Sequence, residues 1–188
     1  EHNIQVSAGE FYDRVGSSIT YKTPFNVLQG EVRNITYFKA TAGFNRPDFN
    51  KGFFADFGVE DETYLIDFDK HSQLGVNSLG LKTVLKATSF SYDKEEITQR
   101  ELKNGDFYFD SRNKIMNKGD LMAGVGLTYT DPYLYSKIEG NYNFGLFNEV
   151  KSEIELKYTV KNVVVSYKET KVDDEKFKSL NVGYQFTF

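Results

Sequence analysis

The feature that most constrains the fold is a strict alternation of apolar and polar residues from Lys178 to Phe188. A period of two is typical of a β-strand with one apolar and one polar face. A strand at the end of a chain frays unless it is paired, and a closed barrel pairs the last strand with the first. We therefore expect a barrel. The apolar face of the final strand is formed by Leu180, Val182, Tyr184, Phe186 and Phe188.

The same alternation recurs through the second half of the chain, where short turn sequences separate the segments. Turns are expected at Asp131-Pro132 and Lys161-Asn162, and a charged loop is expected from Lys171 to Lys176. Strands of about ten residues joined by such turns match a tilted membrane strand better than the five or six residues common in globular sheets. The alternating segments run from Leu121 to Thr130, Leu134 to Phe144, Val150 to Val160 and Val163 to Glu169.

The first half alternates less regularly. Pro24 is expected to end the second strand, because proline cannot donate a hydrogen bond to a neighbouring strand. In the strand from Lys51 to Val59 the apolar residues of one face have odd numbers, whereas after Glu60 to Glu62 the apolar residues have even numbers. This change of face predicts a turn or a β-bulge. We interpret Leu74 to Tyr92 as two or three strands, and Asp93 to Asp120 as a long loop that carries a short hairpin.

Counting these segments gives an even number of strands. An all-β, antiparallel, up-and-down transmembrane β-barrel of about ten strands follows, and twelve strands are possible if the region before Tyr92 divides further. With 188 residues the chain has the size of one domain, so a single barrel domain covers residues 1–188. No run of about 18 apolar residues is present, which excludes a transmembrane helix.

The apolar positions that lead to Phe188 resemble the C-terminal signature of bacterial outer-membrane β-barrels. That resemblance implies recognition of the last strand by the outer-membrane assembly machinery. The segment Ala8-Gly9-Glu10-Phe11-Tyr12 with Val15-Gly16 resembles the opening hairpin of the YfaZ-type outer-membrane proteins, and the Gly-interrupted strands between Leu121 and Phe144 are similar to theirs. The resemblance implies a bacterial outer-membrane location and says nothing about an activity.

Composition agrees with such a location and excludes several other classes. The chain has no cysteine, so it has no disulfide framework and no thiolate metal site. Its net charge of -4 does not provide the excess of positive charge that nucleic-acid binding requires. Aromatic residues make up 16% of the chain without any tryptophan, which suits strands with aromatic girdles. We expect an exported monomer in contact with outer-membrane lipid and lipopolysaccharide, whose signal peptide is absent from this numbering.

The polar faces of the predicted strands carry many charged residues. If the apolar faces meet lipid, these charges line the lumen and need partners there, which predicts either a salt-bridged structural interior or a narrow transport pore with outer loops for contacts. The predicted lumen-facing charged residues are Arg14, Lys39, Asp56, Lys137, Glu139, Lys151, Glu153, Glu155 and Lys157.

Two other functional classes stay open. Reversing the two faces would give a soluble, lipocalin-like barrel that binds a small apolar ligand. An outer-membrane barrel enzyme would need a catalytic group, and the cluster Asp67, Asp69, His71 and Ser72 is the only candidate, although its spacing matches no catalytic pattern. We therefore predict no enzyme activity, no catalytic residue, no bound metal and no cofactor.

Overall fold

The computed structural model describes residues 1–30, 33–46, 49–71 and 75–188, with side chains omitted at 49, 50, 66–71, 75 and 76. Within these ranges ten strands form one closed antiparallel barrel, in which each strand pairs with its neighbours in sequence and β1 pairs with β10. The predicted all-β, ten-strand, up-and-down barrel is thereby confirmed. The strands are β1 (Asn3–Phe11), β2 (Arg14–Leu28), β3 (Arg33–Phe44), β4 (Phe53–His71), β5 (Gly75–Glu101), β6 (Phe107–Asp131), β7 (Ser136–Gly145), β8 (Ser152–Val160), β9 (Val163–Val172) and β10 (Glu175–Thr187).

The barrel closes between β1 and β10, which pair from Asn3 opposite Thr187 to Glu10 opposite Leu180. Residues 1 and 188 therefore lie at the same end of the barrel, which we call the base. The turns Tyr12-Asp13 and Asp173-Asp174 lie at the other end, called the hairpin end. Tyr12 and Asp13 have φ values of 50° and 64°, as a two-residue hairpin turn of type I′ requires.

The first half of the chain differs from the sequence-based prediction at Pro24. Strand β2 does not end there but continues to Leu28, with a register shift between Pro24 and Asn26. A shift of this kind accommodates a proline because the residue cannot donate to the ladder.

The sequence predicted a turn or a β-bulge at Glu60 to Glu62, and neither lies at these residues. Both glutamates lie in the continuous strand β4, and the irregularities follow further along, between Tyr64 and Ile66 and between Asp67 and Asp69. The pairing is regular from Phe54 to Tyr64, so Glu60, Glu62 and Tyr64 keep the inward direction of Asp56, and the β-bulges change the register only beyond Tyr64.

Strands β5 and β6 are longer than predicted. The interpretation of Leu74 to Tyr92 as two or three strands is wrong, because β5 runs without a break over 27 residues. Asp93 to Asp120 were predicted to form a long loop with a short hairpin. A hairpin is present, but the loop is wrong, because these residues continue β5 and β6 as a paired ribbon up to Glu101 opposite Phe107. We call residues 93–118 the protruding hairpin. The sequence hid it because its exposed strands carry polar residues on both faces.

A small helix, α1 (Phe49–Gly52), precedes β4 at the hairpin end. Among the described residues, no helix is both long enough and apolar enough to cross a membrane.

Candidate functional site: a charged lumen closed at one end

The polar faces of the strands point into the barrel, where their charges meet across the lumen. Lys86 on β5 contacts Glu153 on β8 at 2.5 Å, and Lys168 on β9 contacts Asp56 on β4 at 3.4 Å. Neither pair of strands is adjacent in the sheet. These contacts therefore bridge the interior of the barrel rather than its wall.

The ion pairs nearer the hairpin end form one network, the upper cluster, which consists of Asp56, Lys86, Glu153, Glu155 and Lys168. Lys86 Nζ lies between three carboxylates, at 2.5 Å from Glu153, 3.1 Å from Glu155 and 3.5 Å from Asp56. Lys168 Nζ approaches the same three at 3.4 to 4.0 Å. Two lysines thus hold three carboxylates together.

Neutral side chains add hydrogen bonds to the carboxylates of the upper cluster. The Thr88 hydroxyl donates to Asp56 at 2.5 Å, and the amides of Asn143 and Asn141 donate to Glu153 and Glu155 at 3.0 and 3.4 Å. Charge-assisted hydrogen bonds of this kind are what makes a buried carboxylate tolerable.

Glycines on β6 make room for these amides. A Cβ placed on Gly124 would lie 1.8 Å from the Asn143 amide oxygen, and one on Gly126 would lie 2.1 Å from that of Asn141. Any larger residue would displace the amides from the carboxylates. The Gly-interrupted pattern of this strand therefore has a packing reason within this barrel.

A second network, the lower cluster, lies toward the base. Three carboxylates are shared among five lysines: Glu60 contacts Lys22, Lys39 and Lys82 at 3.0 to 3.3 Å. Glu139 contacts Lys82, Lys137 and Lys157 at 3.3 to 3.9 Å, and Glu62 contacts Lys137 and Lys22 at 2.8 and 3.7 Å. The lower cluster consists of Lys22, Lys39, Glu60, Glu62, Lys82, Lys137, Glu139 and Lys157.

Above the upper cluster, inward-facing aromatic rings close the lumen. Tyr12 stacks on Phe90 with ring centroids 4.4 Å apart, and Phe11 stacks on Phe54 at 4.9 Å. Phe177 joins them through Tyr92, at 4.5 Å. We call these six rings the aromatic plug. Met122, Val150 and Val172 pack with them and are fully buried.

The plug is joined to the charged network beneath it. Lys168 Nζ lies 5.4 Å from the centre of the Tyr12 ring, a cation–π distance. Tyr12 holds a left-handed backbone conformation that a bulky residue rarely adopts, and its amide donates to the Ser179 hydroxyl at 3.0 Å. The ring is thus fixed between the plug and the upper cluster.

Space within the barrel is distributed unequally. A cavity of about 520 Å³, called the vestibule, opens at the base and is lined by residues such as Lys22, Lys137 and Lys157. It adjoins a smaller gap of about 100 Å³ that reaches Phe11 and Phe54. On the other side of the plug lies a separate depression of about 230 Å³, lined by Tyr12, Tyr92 and Phe177 among others. The lumen is therefore a blind cavity that is closed at the hairpin end.

Most residues predicted to line the lumen lie in the two clusters: Asp56, Glu153 and Glu155 in the upper one, and Lys39, Lys137, Glu139 and Lys157 in the lower one.

The other two predicted residues do not lie in the lumen. Arg14 is at the rim of the hairpin end, where it and Arg46 bond to Asp93. Lys151 was placed in the lumen wrongly: it precedes β8, is exposed and lies 3.7 Å from the exposed Asp174. The alternation of β8 continues into Lys151 in the sequence, but the strand begins only at Ser152.

Sequence reasoning missed other members of the clusters. These were Lys22, Glu60, Glu62, Lys82, Lys86 and Lys168. Strand parity alone could have found Lys22 and Lys168, because each occupies the polar face of a recognised strand. Glu60 and Glu62 were hidden by the expected turn, and Lys82 and Lys86 by the unclear division of β5.

The candidate catalytic cluster lies outside what the structure describes: Ser72 is outside the described residues, and the side chains of Asp67, Asp69 and His71 are not described. Among the described side chains, no group of three or more histidine, aspartate or glutamate residues has the geometry to hold a metal ion.

Outside the barrel, the apolar faces of the strands are exposed. The final strand presents Leu180, Val182 and Tyr184 outward, each about half exposed. Phe186 and Phe188 continue this face toward the base. Neighbouring strands extend it with Val125, Leu127, Ile138, Tyr142, Ile154, Leu156 and Tyr158.

In comparisons with known proteins, the chain matches no family model, no curated protein and no solved structure. The resemblance to the YfaZ-type proteins therefore stays a prediction.

Proposed function

We propose that this chain spans the outer membrane of a bacterium as a small closed barrel, with a structural role and with its protruding hairpin available for contacts outside the cell. The observation that carries the proposal is the inverted polarity of the wall. Apolar residues face outward around the barrel, while the ion pairs lie inside. In water, an exposed apolar wall and an interior of enclosed ion pairs are both unfavourable, whereas in a bilayer the apolar wall contacts lipid.

The edges of the apolar band support the same proposal. Toward the base, the outward positions carry Tyr129, Tyr158 and Tyr184, with Phe186 beyond them, and all four are at least one-third exposed. Aromatic residues with one polar tip favour the boundary between lipid and water. Both ends of the chain and the short turns at the base would then face the periplasm, and the protruding hairpin would face outward.

A structural role fits the lumen better than an open pore does. The aromatic plug and the upper cluster close the hairpin end, and ten strands are close to the number at which side chains fill a barrel. Narrow-pore transport is the second candidate, and the vestibule favours it because half of the passage is already open. Transport would require the plug to move.

The lipocalin-like alternative needs an apolar cavity, but the lysines and carboxylates of the two clusters line the vestibule and the gap above it beside their apolar residues. An apolar ligand would have to displace ion pairs. The charged lumen therefore favours the membrane barrel over the soluble binder.

One substitution distinguishes lipid from water on the outer face. Val125 is 56% exposed and points outward from the part of β6 that pairs with β7 in the barrel wall. If lipid covers it, Val125→Arg should cost about 2–4 kcal/mol and reduce folding into lipid vesicles. If water covers it, the arginine should be tolerated.

Ile97→Arg is the matched control, since Ile97 is 66% exposed on the protruding hairpin, outside the apolar band. Folding is scored by whether the unboiled protein migrates differently from the boiled protein on a denaturing gel. Equal folding of the two variants, with a wild-type chain that stays monodisperse without detergent, would refute the membrane proposal.

Conductance in planar bilayers separates the two roles. A closed structural barrel predicts no steady current for the wild-type protein. A wild-type protein that conducts steadily would replace the structural role with narrow-pore transport.

A further inference from the structure

We infer that the vestibule is a binding site for a small dianionic oxyanion of the phosphate class. The inference goes beyond the proposed function, because it rests on the interior of the barrel alone and holds whatever surrounds the outer face.

The first argument is the balance of charge. Among the described residues, the lower cluster contains five lysines and three glutamates, so this network when fully ionised has an excess of two positive charges. The upper cluster has one carboxylate more than it has lysines, so the two clusters together keep an excess of one positive charge, which lies on the side of the vestibule. Each carboxylate is already shared by two or three ammonium groups. A cluster enclosed by a barrel wall is screened less than a surface charge, so an anion of two charges would be attracted strongly.

The second argument is which charges reach the cavity. The side chains of Lys22, Lys39, Lys137 and Lys157 are 18–26% exposed and line the vestibule. The carboxylates that balance them are only 1–5% exposed. The lysines of the lower cluster are therefore more accessible from the vestibule than the glutamates that balance them, and a ligand inside the cavity contacts these ammonium groups before those glutamates.

Lys157 is the least occupied of these groups. Its ammonium has one ion contact among the described residues, to Glu139 at 3.9 Å, and Glu139 is closer to Lys82 and Lys137. A lysine that shares a distant carboxylate with two other lysines retains donors for a ligand. Lysine ammonium groups bind phosphate as point charges.

The remaining wall suits a small organic molecule that carries such a group. The cavity of about 520 Å³ lies in the range of small-molecule sites. Tyr37, Pro24 and Pro132 provide apolar contacts, and Thr20, Thr159 and Gln185 provide neutral hydrogen-bonding groups. Carboxylates at the mouth are those of Glu1 and Asp131, and Asp131 accepts hydrogen bonds from the backbone of Tyr133 and Leu134.

The test is phosphate binding by the full chain purified in a non-ionic detergent, measured by calorimetry at constant ionic strength. We expect saturable binding of inorganic phosphate, weakened about tenfold or more by Lys157→Gln because one unit charge is lost from the site. Lys157→Arg keeps the charge and should restore most of the binding. The control is Lys176→Gln, which removes an exposed lysine paired with Glu169 at 3.0 Å and should leave binding unchanged.

Glycerol 3-phosphate is the second arm. Tighter binding of this ester than of inorganic phosphate would assign the site to organic phosphates, and the reverse order would assign it to free phosphate. Each variant must first show the boiling-dependent gel shift of the folded barrel. The inference is overturned if phosphate does not bind saturably, if chloride competes with it at equal concentration, or if Lys157→Gln and Lys176→Gln bind it equally well.

Discussion

The charged side chains in the two halves of the lumen are paired in different ways. Toward the hairpin end, two lysines hold three carboxylates, and neutral amides and a hydroxyl donate further hydrogen bonds to these carboxylates. Aromatic rings close the space above. Toward the base, five lysines share three carboxylates around an open cavity.

The difference shows where unpaired charge can be tolerated. The upper half is closed above by aromatic rings and is reached from the base only through a gap of about 100 Å³, so most of its charge must be paired internally. An open region can leave lysines partly paired, since water or a ligand completes them. Substitutions should therefore be costly in the upper cluster and mild in the lower one.

The largest effect is expected for Lys86→Met. The change leaves three buried carboxylates to one lysine, and breaking a buried network of this kind costs about 3–5 kcal/mol of unfolding free energy. Urea unfolding of the detergent-solubilised protein measures the loss. Lys176→Met, at an exposed ion pair, is the control and should change the midpoint little. Equal stability of both variants would contradict the idea that the sealed half depends on complete pairing.

Truncation of the plug should be the next most costly change. Phe90 is 1% exposed and contacts Tyr12, Tyr92 and Phe177, so Phe90→Ala should cost about 3 kcal/mol through lost contacts and a cavity. The same unfolding experiment measures it. Phe109→Ala is matched in chemistry but is 73% exposed on the protruding hairpin, and it should be nearly neutral. A neutral Phe90→Ala would mean that the rings do not seal the lumen.

Lys157→Gln tests the comparison of the two clusters in the lower one. Because Lys157 belongs to the cationic excess of the lower cluster, its loss should change the free energy of unfolding by less than about 1 kcal/mol in the absence of phosphate. The residue is as much part of the lumen as Lys86, so position alone would predict equal effects. A loss as large as that of Lys86→Met would show that the two halves are equally dependent on pairing.

The smallest effect concerns the rim, where hydrogen bonds from Arg46 and Arg14 lower the pKa of Asp93 from its ordinary value, against partial desolvation. A lowered folded-state pKa means that the ionised carboxylate stabilises the rim at pH above the unfolded value of about 3.9 and that this contribution is lost as the pH falls through the folded value. Asp93→Asn should therefore speed tryptic cleavage after Lys94 about two- to fivefold at pH 7.

Proteolysis at acidic pH tests the direction of the Asp93 pKa shift. At about pH 2, pepsin should cut the protruding hairpin of the wild-type protein and of Asp93→Asn at more similar rates, because protonation removes the carboxylate's advantage. A difference between the two proteins that grows as the pH falls would contradict the assignment of the pKa shift to the arginines.

The sequence predicted the barrel because alternation is a local property. Each strand of the second half shows which residues share a face, and the apolar run to Phe188 indicated that the last strand must be paired. The alternation along β8 therefore placed Glu153, Glu155 and Lys157 on the same face of the strand. It misplaced Lys151 by a single residue at the start of β8, where strand boundaries are least constrained.

By itself, then, the sequence determined the alternating strands of the second half, the apolar character of one face and the charged character of the other. Only the tertiary structure decided which charges meet, because Lys86 and Glu153 are 67 residues apart and face each other only after the register of several strand pairs has been set. The aromatic plug has the same origin. Phe11, Phe54, Phe90 and Phe177 come from four separate strands, and only closure of the barrel brings their rings to one level.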